Sequence, residues 1–104
     1  MANSTRVKSP FNRPRPPRVI HVCGHKIKVK VVEKLVDGST DLLGAYNGET
    51  KTIYLLKHPD WCSCLFHELI HAVIGITGVG EGLTLSKEES ICIALENSLG
   101  PLFF

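Results

Sequence analysis

Lysine and β-branched residues alternate along Lys26-Ile27-Lys28-Val29-Lys30-Val31, the period-two pattern of a strand with one face in water and the other in a core. The run continues to Val32, and a shorter apolar run, Val19 to Cys23, precedes it across Cys23-Gly24-His25. That turn signal predicts a hairpin. Asp37-Gly38-Ser39-Thr40 reads as a loop. Two more strands, Leu42 to Tyr46 and Thr52 to Leu56, flank Asn47-Gly48, a dipeptide favoured in two-residue hairpin turns because both residues tolerate positive φ. The strands predict a small antiparallel sheet.

Beyond His58-Pro59-Asp60 the period changes. Apolar residues at 66, 69, 70, 73, 74 and 76 form a stripe about half the circumference of a helix wide. With Asp60 placed as N-cap and Gly78 as a left-handed stop, the pattern predicts a helix running to about Thr77. Gly75, Gly78, Gly80 and Gly82 make a pliant connection, and Ser86-Lys87-Glu88-Glu89 has the form of a capping box. It opens a last helix carrying Ile91, Ile93, Ala94, Leu95 and Leu99, stopped by Gly100-Pro101. The expected class is α+β, about four strands packed on two helices.

With 104 residues and 43% hydrophobic composition, the chain has room for one core. No apolar stretch reaches the roughly 20 residues needed to span a bilayer, and the N-terminus lacks a signal-peptide h-region. No membrane partner and a cytoplasmic location are expected, and four cysteines read as free thiols agree with a reducing compartment. The net charge of +2 is uneven: Arg6, Lys8, Arg13, Arg15 and Arg18 give residues 1–18 a charge of +5, leaving the remainder at −3. Pro10, Pro14, Pro16 and Pro17 lie in the same stretch, where, the first Met apart, Val7 and Phe11 are the only large apolar side chains. Residues 1–18 therefore read as a disordered or polyproline-like arm with no buried face, and 19–104 as the folded domain. A solvated leader is favoured over a nucleic-acid-binding arm, because no aromatic interleaving or base-reading motif accompanies the charge.

The chemistry is concentrated in His67-Glu68-Leu69-Ile70-His71, an HExxH sequence inside an apolar run. Residues four apart on a helix share a face, so two imidazoles can converge on one tetrahedral zinc ion. Glu68 is too displaced to ligate alongside them and is placed to take the proton of a metal-activated water. Burying these three residues without a partner would be costly. That is the site logic of a zinc metallopeptidase hydrolysing a peptide bond.

A catalytic zinc takes three protein ligands. Ile74 and Thr77 stand where a metzincin would have glycine and a third histidine, and no histidine follows His71. The remaining donors are Glu81, Glu88, Glu89 and Glu96. Glu81 sits in the glycine-rich connector and Glu96 in a stretch expected to be exposed. Glu89 is the favoured third ligand, with Glu88 the alternative, although a capping-box role competes for Glu89.

A sheet, a helix bearing HELIHAV, a short linker and a second helix with a glutamate before an apolar stretch resemble a minimal zincin. Over about residues 19 to 100 the chain resembles the small gluzincin-like proteins of phages and prophages, and more distantly the ImmA/IrrE metallopeptidases. Glu89-Ser90-Ile91-Cys92-Ile93-Ala94 matches the latter family's third-ligand arrangement. The resemblance implies zinc as cofactor, His67, His71 and Glu89 as ligands, Glu68 as general base, a protein or peptide substrate, and a host-cell cytoplasmic setting if phage-encoded. It also implies that substrate adds as a strand to the sheet edge, with Leu42 to Tyr46 the expected place. No helix-turn-helix precedes the domain, so cleavage of a DNA-binding regulator is not expected.

Tyr46, Tyr54, Lys57 and His58 are eligible to stabilise an oxyanion, and none is assigned. Two rival readings stand. One is a non-catalytic, zinc-stabilised interaction protein delivering its basic arm to nucleic acid or an assembly. The other is a closed structural zinc site, formed by Cys64, His67 and His71 with Cys62 or Cys92.

Overall fold

The computed structural model describes residues 9–104. Strands β1 (Val19–Val22) and β2 (His25–Val32) pair antiparallel. Cys23 and Gly24 between them take φ of 51° and 79°, the two positive values of a tight hairpin turn. Strands β5 (Gly44–Asn47) and β6 (Thr52–Leu56) form the second hairpin. Its loop is longer than the expected two residues. The Asn47 side-chain oxygen accepts from the Glu49 and Thr50 N–H groups at 2.9 and 3.2 Å, an Asx-type turn. Where the sequence suggested only a loop, β3 (Val36–Asp37) and β4 (Thr40–Asp41) make a separate small ribbon.

The four-stranded sheet has the order β1-β2-β6-β5. The two hairpins lie side by side so that β6 meets β2 in parallel, from Lys28 opposite Thr52 to Val32 opposite Leu56. The fold is thus α+β with a mostly antiparallel sheet, and the purely antiparallel expectation is corrected at the centre. Burial accounts for the order. Ile27 and Val29 of β2 and Ile53 and Leu55 of β6 are the buried strand residues facing the core, and central placement covers them best, whereas Gly44-Ala45-Tyr46-Asn47 has little to bury and takes an edge. The nineteen residues between β2 and β6 suffice for the crossover that parallel neighbours require. Lys26, Lys28 and Lys30 point to water as their alternation predicts.

Helix α1 (Trp61–Thr77) packs Trp61 and Leu65 into the core. Its buried residues continue through Glu68 and Ala72, so the acid of the motif lies on the sheet-facing side. Gly78 stops the helix at φ 75°, as expected, whereas Asp60 occupies the N-cap position without a side-chain bond. Helix α2 (Leu85–Leu99) starts earlier than the proposed capping box. The Thr84 hydroxyl accepts from Lys87 N–H at 3.1 Å, which releases Glu88 and Glu89 from capping. Cys92 is the buried residue of α2. Ile91, Ile93, Leu95 and Leu99, expected on its core face, remain 36–46% exposed. No helix among the described residues is long and apolar enough to cross a membrane.

The N-terminal arm was expected to end at residue 18. Residues 1–8 lie outside the described residues, but packing begins well before residue 19: Phe11 belongs to the hydrophobic core. Its ring stacks obliquely on Phe66 at 5.7 Å and on Phe104 at 5.4 Å, between centroids. Its carbonyl accepts from the Cys62 thiol at 3.6 Å, and the Arg18 carbonyl accepts from Val29 N–H at 2.8 Å. A single aromatic anchor among prolines suffices because Phe103 and Phe104 fold back to meet it. Phe11→Ala is expected to destabilise the domain by about 3 kcal/mol, read as a lower urea midpoint at unchanged m-value. An arm that only solvated the chain would leave the midpoint where it is.

Candidate metal centre

The helical repeat puts His67 and His71 one turn apart on α1, with ring centroids 5.1 Å apart. Both side chains are mostly buried, at 13% and 15% exposure. They face α2, which lies against α1 because the glycine-rich connector from 78 to 82 turns the chain back. What meets them is a row of carboxylates. One carboxylate, Glu89, straddles both rings: Oε1 lies 2.6 Å from His67 Nε2 and Oε2 lies 3.1 Å from His71 Nε2. Glu96 lies 2.9 Å from His67 Nδ1, and Glu88 lies 2.6 Å from His71 Nδ1.

All four ring nitrogens therefore face carboxylate oxygens. A neutral imidazole has only one N–H to donate, so each ring satisfies both partners only as imidazolium, or with a cation on the second nitrogen. The geometry divides the nitrogens by role. The Nδ1 atoms donate to Glu96 and Glu88, which fixes the ring orientation and leaves both Nε2 atoms aimed at one place. Two imidazoles and a carboxylate converging there are a donor set that fits a divalent ion. His67, His71 and Cys92 also form a group in which one donor atom of each lies within 4.8 Å of the others. These residues could hold a metal ion.

Glu68 is 8% exposed and does not join that row. It points towards β5, where a Cβ added at Gly44 would meet its Cγ at 3.1 Å and its Oε2 at 3.3 Å. Glycine at the first position of the edge strand is what lets the carboxylate lie so close. Tyr46, two residues on, shares that sheet face and packs against the core. Tyr54 sits opposite Lys30 and Ala45 and thus on the far face. Lys57 is at the surface with Glu33, 3.8 Å away, and His58 accepts from Asp60 N–H at 3.0 Å. Among the described residues, Cys62 and Cys64 stay outside the metal-competent group.

Sequence reasoning brought together His67, His71 and Glu89. It passed over Cys92 as a ligand of the open site and treated Glu96 as exposed, and it saw Glu88 only as an alternative ligand. One signal was available: Glu88 or Glu89, Cys92 and Glu96 recur at three- and four-residue spacings, which is one helical face.

The charges are strongly coupled. Burial alone disfavours ionised His71, but the Glu88 hydrogen bond and the nearby Glu68 and Glu89 charges outweigh it and raise its pKa above 6.5. Burial raises the Glu68 carboxyl, against the opposing pull of His71 and His67. The Cys92 thiol is pushed up to about 12, by burial first and then by Glu89, Glu88, Glu68 and Glu96. No protein-family model, curated protein or solved structure matches the chain.

Two outcomes follow for the protein in solution. A histidine whose folded pKa is raised contributes stability in full below its unfolded pKa, and that contribution is lost as pH rises through the folded value. The raised Glu68 carboxyl acts in the same direction, because its protonated form is the one favoured by folding. Metal-free protein is therefore expected to melt at a higher temperature at pH 6 than at pH 8, in calorimetry with chelator present. Zinc should reverse the order, since binding requires deprotonated donors. Glu96→Ala, which frees the His67 ring, is expected to weaken metal affinity about 10- to 100-fold in competition with a chromophoric chelator.

Proposed function

We propose that the protein is a zinc-dependent metallopeptidase in which His67, His71 and Glu89 hold the ion and Glu68 is the general base. The observation that carries this reading is the Glu89 carboxylate placed on the Nε2 atoms of both motif histidines, at 2.6 and 3.1 Å, while their Nδ1 atoms are held from behind. Imidazole and carboxylate donors suit zinc. Zinc supplies Lewis acidity to the scissile carbonyl and brings the pKa of a water towards neutrality.

The protein's own groups do the rest. Glu68 takes a proton from the attacking water as its oxygen bonds to the carbonyl carbon, then passes that proton to the amine as the C–N bond breaks. Its burial supports this role, because a carboxyl with a raised pKa is a stronger base than an exposed one. Strand β5 is a sheet edge, paired on one side with β6, so a protein or peptide substrate can add there as a further strand. Gly44 leaves the space in which substrate backbone and the Glu68 carboxylate would meet.

Glu68→Gln is expected to reduce peptide hydrolysis by about 100-fold or more while zinc stays near one per chain by elemental analysis. Glu89→Ala should lose zinc and activity together. Full hydrolysis by Glu68→Gln, or wild-type protein that retains no zinc, would overturn the proposal.

A further inference from the structure

Helix α2 buries a thiol where it could have buried isoleucine. Cys92 is fully buried, while its neighbours Ile91 and Ile93 are 39% and 46% exposed. Apolar transfer would favour the opposite rotation, since a branched aliphatic side chain gains more by burial than a small thiol. Cys92 also stands apart from the hydrophobic core formed by Phe11, the strand residues, Trp61 and Leu65. Among the described residues its Sγ has no hydrogen-bond partner, and it lies within 4.8 Å of a ring nitrogen of each motif histidine. On α2 it is one turn after Glu89 and one turn before Glu96, so the three side chains share the face turned towards His67 and His71.

A buried cysteine is ordinarily a small hydrophobe packed among aliphatic groups. Cys92 has imidazoles and carboxylates around it instead, and sulfur is a ligand for which zinc has high affinity. We propose that Cys92 is a further protein ligand of the metal, taking the coordination position that a water must occupy for hydrolysis, so that the site rests closed. The proposal builds on the His67, His71 and Glu89 reading and adds the regulation of that site. As the sulfur–metal bond forms, the thiol proton passes to solvent. Hydrolysis then requires the sulfur to withdraw, and its place at the middle of α2 ties that step to a small shift of the helix. With His67, His71, Glu89 and Cys92 holding the ion, the protein would supply all four ligands and Glu68 would have no water to activate.

Cobalt(II) substitution tests this directly, because a thiolate ligand gives an intense sulfur-to-cobalt charge-transfer absorption in the near ultraviolet and nitrogen and oxygen ligands do not. Wild-type protein loaded with one cobalt per chain is expected to have this band. Cys92→Ala should lose the band while still binding cobalt, at least tenfold more weakly, and Cys64→Ala should keep it. Cys92→Ser, close in size to the native residue, replaces Cys92→Ala should the latter fail to fold by circular dichroism. With zinc, the Cys92 variant is expected to hydrolyse peptides faster per bound metal than the wild type. One cobalt bound without the band, or a band that survives in the Cys92 variant, would overturn the role of Cys92 and leave the His67, His71 and Glu89 site standing. Failure of the wild type to bind cobalt or zinc would overturn both.

Discussion

Two imidazoles enclosed by three carboxylates are what join the helices of this protein. Glu88, Glu89 and Glu96 reach from α2 to His67 and His71 of α1 at 2.6–3.1 Å, and Cys92 is the one α2 side chain buried among them. The arrangement is short of positive charge. In a partly desolvated setting, uncompensated carboxylates repel one another more strongly than in water. Protonated rings or a cation at the Nε2 atoms would restore balance, and the docking of α2 brings both the carboxylates and Cys92 to that place. A cation that bound there would stabilise the fold by mass action.

The sheet makes a different contribution. Its core residues, Ile27, Val29, Ile53 and Leu55, hold α1 through Trp61 and Leu65 and thereby fix the side of the helix that carries Glu68. Glu68 is therefore positioned by apolar packing, whereas His67 and His71 are positioned by charge. Gly44 marks the boundary, where edge strand and carboxylate touch. The cluster thus has a half set by the apolar core and a half set by charge, and a change in the charged half leaves Glu68 where it is.

Much of this was legible in residue order. The alternation from Lys26 to Lys30, the existence of α1 and the Gly78 stop appear where the pattern placed them, whereas Val31 is exposed and α1 buries Trp61, Leu65, Glu68, Ala72 and Ile74, of which only Ile74 belongs to the expected apolar stripe. The antiparallel sheet was misread at β2 and β6 because local hairpin signals carry no information about which hairpin edge meets which; burial decided that. The second helix was misread twice. Thr84 outcompeted Ser86 as cap, and Ile91, Ile93, Leu95 and Leu99 gave a hydrophobic stripe that lost to the carboxylate and thiol face. Phe11 was invisible because its partners, Phe103 and Phe104, lie at the other end of the sequence. For the site, His67, Glu68 and His71 were marked by one motif, and Glu89 by spacing and resemblance. Glu96 stood among the donors and Cys92 in the closed-site reading, but the signal that places both beside Glu89 is the helical face they share with it.

The parallel contact of β2 with β6 has a consequence for how the protein is made. Neighbours separated by nineteen residues cannot zip together like a hairpin; the first hairpin must keep its inner edge unpaired until Leu56 has been synthesised. The helices come later still. A nascent chain ending before residue 89 displays both histidines and Glu68 but lacks the Glu89 carboxylate that bridges the two rings. In the order of synthesis, then, the histidines of α1 wait for the carboxylates of α2, and the two halves of the cluster meet only when the fold is complete.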